Sequence, residues 1–401
     1  MISGALCSAV AAPLTACDVA PETHADALHS HLLTLDSHVD IPLDFATPAD
    51  DPAYDTSMQV DLPKMKAGGL EAAFFIVFTP QGAQTAEGYK QARSIADTRA
   101  TAIHRMAAQN PSQIGVVTAP AEARRLWRLG KRAAFIGMEN AYPLGESLDD
   151  VALWKARGVR YLGLTHVGHN QFADSANPNP AIEPPAVHNG LSSLGRELVE
   201  ALNDAGIIID VSHASQQTTA QAIAQSRVPI IASHAAARAL VDNPRNINDE
   251  DMVAMARKGG VIQIVALGSF LRSPSPAQSE ARLDVRARFG IRTDAERAAL
   301  DEDTNARYVA AIEAVDAKFP PVRVGDLIDH VDHVAKLVGV DHVGVASDFG
   351  GGGGVEGWND ASQCRSVTRE LVRRKYSDSA IEKIWGGNLL RVMSEVASAA
   401  R

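Results

Sequence analysis

Short runs of apolar residues alternate along the chain with longer segments in which apolar residues recur every three to four positions. The short runs, rich in Val, Ile and Phe, predict buried strands, whereas the longer segments predict helices. Strands are predicted at residues 32–37, 70–79, 132–139, 159–166, 207–213, 228–234, 260–265 and 342–348. Helices are predicted between most of them, including residues 86–109 and 324–337.

The strand runs are too hydrophobic for a sheet with one face in water, which indicates parallel strands covered by helices. Eight of them predict an α/β fold, a (β/α)8 TIM-type barrel. Inserted helices are expected near 272–318, and C-terminal helices over 361–375 and 378–399. The alternative, a doubly wound open sheet, would require a glycine-rich phosphate turn after the first strand, and the sequence has none there.

Composition limits the class of protein. A chain of 401 residues is long for one domain, but α/β barrels reach this length, so residues 21–401 are expected to form one domain. The formal net charge of −10 argues against a nucleic-acid binder, which needs a basic surface. Of three cysteines, two precede residue 20, so a metal would need His and carboxylate ligands.

Residues 1–20 are small and apolar, and too short to span a bilayer. They predict a signal or lipoprotein leader, in which Leu14-Thr15-Ala16-Cys17 resembles a bacterial lipoprotein cleavage box. A lipid on Cys17 would then tether the protein to a membrane, in the periplasm or cell envelope of a bacterium. The apolar segment has no Lys or Arg before it, so a truncated start or a cytoplasmic location stays open.

Ionisable side chains stand at the predicted ends of six strands: His38, Asp40, Glu139, His166, His213, His234 and Asp348. In a barrel these ends meet at the face where active sites lie. His38 and Asp40 are two residues apart, so on a strand their side chains point the same way. Carboxylates gathered there must be protonated, paired or metal-bound. A dinuclear metal site with one bridging carboxylate satisfies them all.

Each of these residues also has a simpler interpretation. A single strand-end histidine is more often structural than a ligand, and Glu139 could cap a helix or pair with an arginine. The glycine run 350–354 is most simply a flexible loop, because it lacks the Lys-Ser/Thr of a phosphate loop. Other histidines are expected at the surface or in loops without a role: His24, His29, His31, His104, His188, His330, His333 and His342. Only the coincidence of positions favours the metal site.

The strand-end residues lie in motifs that resemble those of the membrane (renal-type) dipeptidases, zinc metallopeptidases of peptidase family M19. The motifs are DSHVDIP (36–42), GMEN (137–140), YLGLTH (161–166), ADS (173–175), DVSHAS (210–215), ASHA (232–235), NPRNI (243–247), GVDHVGVASDF (339–349) and WGGNLLRV (385–392). Together the motifs extend over nearly the whole chain after the leader, and the resemblance rests on their order and spacing. The resemblance implies an amidohydrolase-like, metal-dependent hydrolase barrel.

The resemblance also implies two Zn²⁺ ions per chain. His38 and Asp40 would be ligands of one ion, His213 and His234 would be ligands of the other, and Glu139 would bridge them. A homodimer is a further implication. The implied activity is hydrolysis of free dipeptides, including L-D dipeptides, by a hydroxide held between the two ions.

Three further residues receive substrate roles from the resemblance. His166 would stand beside the scissile carbonyl and stabilise the developing oxyanion. Arg245 would bind the terminal carboxylate through its planar guanidinium. Asp348 would contact the free amino group and take part in proton transfer.

The sequence departs from the family pattern in three places. Gly350 occupies a position where relatives often carry a second acidic residue, and the glycine run and the Trp358 segment enlarge this loop. Recognition of the substrate's amino end is therefore in question. Val265-Ala266-Leu267 replaces aromatic side chains that partner the carboxylate in relatives, and the Cys that follows the matching His in the mammalian enzymes is absent.

Two rival functions fit the same residues. One is another amide or lactone hydrolase, or a deaminase, on the same barrel, although mononuclear deaminases of this class open with His-x-His and this chain has His-x-Asp. The other is a non-catalytic envelope binding protein. Loss of a ligand would indicate that reading, and all five are present.

Overall fold

The computed structural model describes residues 21–292, 296–297 and 300–401. The predicted leader, with Cys17, lies outside the described residues. Within the described ranges, no helix is both long enough and apolar enough to cross a membrane. Among these residues Cys364 is buried, with a free thiol.

Nine parallel strands form one sheet in the described part of the chain. They are β1 (Leu35–Val39), β2 (Ala72–Phe78), β3 (Ile114–Val116), β4 (Arg132–Glu139), β5 (Val159–Gly163), β6 (Ile208–Asp210), β7 (Ile231–Ala235), β8 (Val261–Val265) and β9 (Val343–Ala346). Eight follow one another in the order β1-β2-β4-β5-β6-β7-β8-β9, and β3 pairs with β4. β3 pairs with the start of β4, at residues 132–134. From Ile136 onward, β4 pairs with β5.

The sheet closes on itself between β9 and β1. Just beyond the two strands, the Asp348 N–H donates to the His38 carbonyl at 3.1 Å, and the Asp40 N–H donates to the Phe349 carbonyl at 2.8 Å. These bonds continue a parallel ladder across the seam. The predicted (β/α)8 barrel is therefore confirmed, with β3 as an added strand outside the ring.

The helices are α1 (Pro21–His29), α2 (Leu62–Gly68), α3 (Ala86–Gln109), α4 (Pro120–Arg128), α5 (Asp150–Ala156), α6 (Ser193–Ala205), α7 (Gln216–Gln225), α8 (Asp249–Arg257), α9 (Gly268–Leu271), α10 (Pro276–Arg288), α11 (Glu302–Asp316), α12 (Val324–Val338), α13 (Arg365–Arg373), α14 (Asp378–Glu382) and α15 (Asn388–Ser398). A π-helical turn, Lys383–Gly387, joins the last two. Thr85, Ser192 and Ser215 start α3, α6 and α7, because each side chain accepts a hydrogen bond from a backbone N–H of the first turn.

Two apolar layers hold the barrel together. Large side chains fill its interior, among them Leu35, Phe74, Phe135 and Tyr161, and residues of α15 such as Leu389 join the same cluster. A larger cluster lies between the strands and the surrounding helices. The inserted helices α10 and α11 share a small core of their own, which includes Val285, Tyr308 and Val315.

Several sequence expectations need correction. The first strand begins at Leu35 and not at residue 32, and the helix α2 (Leu62–Gly68) was not predicted. His29 and His330, expected at the surface or in loops, are each only 1% exposed. Both are structural. His29 forms hydrogen bonds with Thr368 and the Gly68 carbonyl, and His330 forms them with the Ala237 N–H and the Leu271 carbonyl.

Candidate metal centre

A cavity of about 850 Å³ opens at the carboxyl ends of the barrel strands. Of the predicted site residues, Asp40, Glu139, His166, His213, His234, Arg245 and Asp348 line it. His38 lies beneath them and is fully buried. The topology thus brings all eight residues to one place.

His38, on β1, has one ring nitrogen fixed and the other free. Its Nδ1 lies 2.9 Å from the Tyr161 hydroxyl, which itself donates to the Ser37 carbonyl at 3.0 Å. The hydroxyl has a single proton, so His38 Nδ1 must be the donor in the first bond. His38 Nε2 is therefore left with a lone pair, and both it and Asp40 Oδ1 are buried without a hydrogen-bond partner among the described residues. Nε2 lies 3.4 Å from Asp40 Oδ2.

Glu139, the last residue of β4, stands between two pairs of residues. Its Oε1 lies 2.9 Å from His213 Nε2 and 3.4 Å from His234 Nε2. Its Oε2 lies 3.7 Å from His38 Nε2. One carboxylate oxygen thus faces each side, which is the placement that a bridging ligand needs.

His213 lies just after β6, and His234 lies in β7. Their Nε2 atoms are 2.9 Å apart. His234 Nδ1 bonds the Ser233 hydroxyl at 2.8 Å, and that hydroxyl donates to Asp210 Oδ2 at 2.6 Å. His234 Nδ1 therefore carries the proton, and its Nε2 is free to accept. His213 has a left-handed backbone, φ 66°, which is uncommon for a residue other than glycine and frequent at functional sites.

The electrostatics of the site fit a bound cation. Burial and the neighbouring carboxylates Asp40 and Glu139 raise the pKa of Asp348 to about 8. Burial opposes ionisation of Glu139, but His166, His38 and bonds from His213 hold its pKa well below the usual range. Burial lowers the pKa of His234 to about 3 and that of His213 well below its ordinary value. Both rings are neutral at neutral pH, the form that binds metals.

Three groups of donor atoms lie close enough to hold metal ions. They are His38 with Asp40 and Glu139, Glu139 with His213 and His234, and His38 with His234 and Asp348; within each group the atoms lie within 4.8 Å of one another. The unpartnered buried donors of His38 and Asp40 point to the same conclusion. Imidazole and carboxylate donors suit zinc and other divalent first-row ions. The residues therefore fit a metal centre.

His166 stands at the edge of this centre, in the loop after β5. Its Nε2 lies 4.0 Å from Glu139 Oε1, and its ring centre lies 4.2 Å from that of His213 and 4.6 Å from that of Phe78. Burial lowers its pKa, although Glu139 acts in the opposite direction. The side chain is 23% exposed, so it can meet a molecule in the cavity.

Arg245 presents a buried guanidinium to the cavity, and burial lowers its pKa to about 10. The guanidinium carbon lies 5.3 Å from the centre of the Phe270 ring. Asn246 holds this arrangement, because its side-chain amide donates to the carbonyls of Val241 and Phe270. An aromatic side chain thus reaches Arg245 from α9, a few residues after Val265-Ala266-Leu267.

The first residues of the glycine run 350–354 lie close against the acidic residues of the site, although they are exposed on their other side. A side chain at Gly350 would place its Cβ 2.5 Å from the Asp40 carbonyl oxygen, and the backbone there has φ 81°. A Cβ at Gly351 would lie 2.5 Å from Asp348 Oδ1 and would also overlap Asp40 Oδ2. The close packing therefore explains why an acidic residue is absent at position 350.

Sequence reasoning missed the residues that support the ligands. Tyr161 and Ser233 lie inside quoted motifs, but nothing in a motif shows which hydroxyl meets which imidazole. Phe270 and Arg99 reach the cavity from helices whose orientation the sequence does not give. The roles of the ligands themselves stay predictions.

A family model described as membrane dipeptidase (peptidase family M19) matches residues 22–401. Dipeptidase ataJ from Aspergillus terreus is 29% identical over 363 residues, which cover 85% of this chain and 78% of that protein. Dipeptidase tcpJ from Claviceps purpurea is 29% identical over 354 residues, which cover 87% of this chain and 72% of that protein.

Solved structures show the same similarity. The probable dipeptidase PvdM from Pseudomonas aeruginosa is 39% identical with a TM-score of 0.89, over 95% of this chain and 99% of that one. A metallo peptidase from Rhodobacter sphaeroides, solved with a phosphinate mimic of L-Ala-D-Ala, is 22% identical with a TM-score of 0.70, over 91% of this chain and 99% of that one. At that identity the second comparison supports the fold alone.

Proposed function

Because the chain belongs to the membrane dipeptidase family of metallopeptidases, we propose that it hydrolyses the peptide bond of free dipeptides at a centre of two zinc ions. The observation that carries this proposal is the position of Glu139, with one carboxylate oxygen toward His213 and His234 and the other toward His38. That arrangement suits two cations that share one ligand.

In this proposal His38 and Asp40 would hold one ion, His213 and His234 would hold the other, and Glu139 would serve both. The ions would supply an activated water and polarise a carbonyl oxygen. The protein orients both imidazoles, because Tyr161 and Ser233 fix the Nδ1 protons of His38 and His234 and leave a lone pair on each Nε2.

Residues around the centre would orient the dipeptide. Arg245, stacked on Phe270, would bind the terminal carboxylate through two parallel hydrogen bonds. Asp348 would bind the free amino group and exchange a proton with it, and His166 would donate to the oxygen on which charge develops. Fixing both ends of the substrate places its amide at the centre, an effect that adds to that of the metals.

The test is hydrolysis of a panel of dipeptides by zinc-loaded protein and by chelated protein. The panel contains L-L and L-D dipeptides, with N-acetylated and C-amidated forms of the same compounds as controls. We expect zinc-dependent cleavage of the free dipeptides in both stereochemical series, and loss of cleavage when either end is blocked.

Two results would contradict the proposal. Cleavage of only the blocked compounds, or of lactones, would keep a metal hydrolase but reject the dipeptidase. Binding of two zinc ions per chain without turnover of any compound would favour a binding protein.

Replacing Arg245 with Lys or Met should raise KM for free dipeptides. The circular dichroism spectrum should stay that of the wild type, because the substitution removes a substrate contact and leaves the fold intact.

Three expectations about the whole protein are proposals of the same kind. Export to the cell envelope and a lipid on Cys17 would appear in the mass of the mature protein and in its fractionation with membranes. A homodimer would appear in sedimentation at micromolar concentration.

A further inference from the structure

Arg99 is a cation in the cavity wall that the proposed mechanism does not use. It belongs to α3, and its side chain reaches the cavity beside Phe78. Its guanidinium carbon lies 5.3 Å from the centre of the Phe78 ring. Its Nη1 donates to the Phe78 carbonyl at a long 3.4 Å, and its Nε is buried with no acceptor in the ranges that the structure describes.

Arg99 lacks a counter-ion among the described residues. Asp40 and Glu139 affect it only at longer range, where they favour its charged form against the effect of burial. Asp50 lines the same cavity, but no ion pair joins it to Arg99 in the described part of the chain. A partly buried guanidinium whose buried Nε has no acceptor among the described residues is stabilised when an anion meets it. The wall therefore offers a site for a carboxylate that the protein itself does not supply.

The position of Arg99 indicates which carboxylate. Phe78 ends β2 and Arg245 follows β7, and these strands are the second and sixth of the eight in the ring. Arg99 and Arg245 thus stand on opposite walls, each beside a phenylalanine ring. A dipeptide bound by Arg245 at its carboxylate and by Asp348 at its amino group would direct its first side chain along β1 and β2.

We propose that Arg99 and Phe78 form a subsite for a carboxylate on the first side chain, so that the enzyme prefers dipeptides that begin with Glu or Asp. The proposal rests on the proposed function and specifies the substrate class of that site. Phe78 packs against the methylene groups, and the planar guanidinium of Arg99 binds the carboxylate in a bidentate way.

The test compares kcat/KM for substrates that differ only in charge: Glu-Ala against Gln-Ala, and Asp-Ala against Asn-Ala. We expect zinc-loaded wild type to prefer the acidic member of each pair by about tenfold or more. Arg99→Met should bring the ratio to about one, and Arg99→Lys should retain part of the preference because the charge remains.

Arg93→Met is the matched control. Arg93 lies on the same helix with its guanidinium carbon 6.0 Å from the Trp154 ring centre, and it pairs with Asp150 outside the cavity. Its substitution should keep the wild-type ratio. Circular dichroism checks that each variant folds, and Arg99→Gln provides the same ratio if Arg99→Met does not fold.

Other results would overturn the subsite, its placement at the first residue, or the proposed function itself. No acidic preference in wild type, or a preference that survives Arg99→Met, overturns the subsite and leaves dipeptide hydrolysis intact. A preference for Ala-Glu over Ala-Gln that depends on Arg99 overturns the placement at the first residue. If zinc-loaded wild type cleaves none of these compounds, nor Ala-Ala, the proposed function is overturned and the subsite with it.

Discussion

Two histidines on opposite sides of Glu139 use the same device. Each donates its Nδ1 proton to a hydroxyl, His38 to Tyr161 and His234 to Ser233, and each hydroxyl donates onward to a protein oxygen. The relay sets the tautomer and the ring orientation before any ligand arrives. Such supporting bonds are commonly worth ten- to hundredfold in metal affinity.

Tyr161→Phe should therefore weaken zinc binding by about tenfold or more, because it removes the acceptor of the His38 Nδ1 proton but keeps the ring that fills the barrel. The measurement is competition for zinc with a chelating dye. Tyr142→Phe is the control, since Tyr142 is also buried and its hydroxyl donates to the Ala83 carbonyl, outside the metal centre. Equal zinc affinity in the two variants would show that the relay has no role in binding.

At the scale of elements, strong periodic signals were predicted best. The predicted helix 86–109 and strand 132–139 coincide with α3 and β4. α2 and β3 were missed because they are seven and three residues long, too short for a period to show. The start of β1 was misplaced because an apolar residue at 32 looks the same whether it lies in a strand or before one.

The ends of the strands were predictable for a topological reason. A parallel barrel collects its carboxyl ends on one face, so His38, Glu139 and His234 meet whatever the register. Which side chain supports which ligand depends on register and on helix orientation, and the sequence does not give these. Phe270 is an example, because it reaches Arg245 from α9 and not from a strand.

His330, on α12, joins two segments that form the Arg245 site. Its Nδ1 accepts from the Ala237 N–H at 3.0 Å, and its Nε2 donates to the Leu271 carbonyl at 3.0 Å. His330→Leu should therefore raise KM for dipeptides by about tenfold, with a smaller change in kcat, because the guanidinium and Phe270 lose their alignment. Steady-state kinetics gives both constants.

Two companion variants separate positioning from stability. His330→Asn keeps an acceptor for the Ala237 N–H and should recover part of the KM. His333→Leu, on the same helix, removes a bond to Asp249 that lies away from the cavity and should leave KM unchanged. A loss of thermal stability in His330→Leu without a change in KM would restrict His330 to a structural role.

The contact between α1 and α13 predicts a dependence of stability on pH. The Thr368 hydroxyl accepts from Trp385 and donates to His29 Nδ1 at 2.6 Å, and His29 Nε2 donates to the Gly68 carbonyl at 2.8 Å. Burial lowers the pKa of His29 from 6.5 to about 4. Below pH 6.5 His29 is therefore protonated in the unfolded chain but stays neutral in the folded protein. The free energy of unfolding falls as the pH is lowered from 6.5 to about 4.

His29→Gln keeps a donor for Gly68 and removes the titration. Between about pH 6.5 and 4.5 the variant should lose about 2 kcal/mol less unfolding free energy than wild type. Urea unfolding at both pH values measures the difference. His31→Gln serves as control because His31 is exposed. If the two variants and wild type lose the same free energy, His29 does not account for the acid sensitivity.

At the scale of the whole molecule, the proposed ligands tie distant parts of the barrel together. They lie in or just after β1, β4, β6 and β7. Asp348, which faces them, follows β9 beside the seam where the barrel closes. Burial, together with the neighbouring carboxylates Asp40 and Glu139, raises the pKa of Asp348, so a cation here would favour the ionised carboxylates. Metal binding should therefore strengthen the closed barrel as well as supply the chemistry.

We expect zinc to raise the thermal midpoint by several degrees, since a ligand at a hundred times its dissociation constant adds about 2.7 kcal/mol to the folded state. A chelator should reverse the rise. Glu139→Gln, which keeps the shape of the proposed bridge but removes its charge, should show little rise, whereas Glu122→Gln, at the start of α4, should behave like wild type in its response to zinc. If zinc binds stoichiometrically but the midpoint does not move, the metal does not link the strands, and closure of the barrel rests on the seam bonds and the packed interior alone.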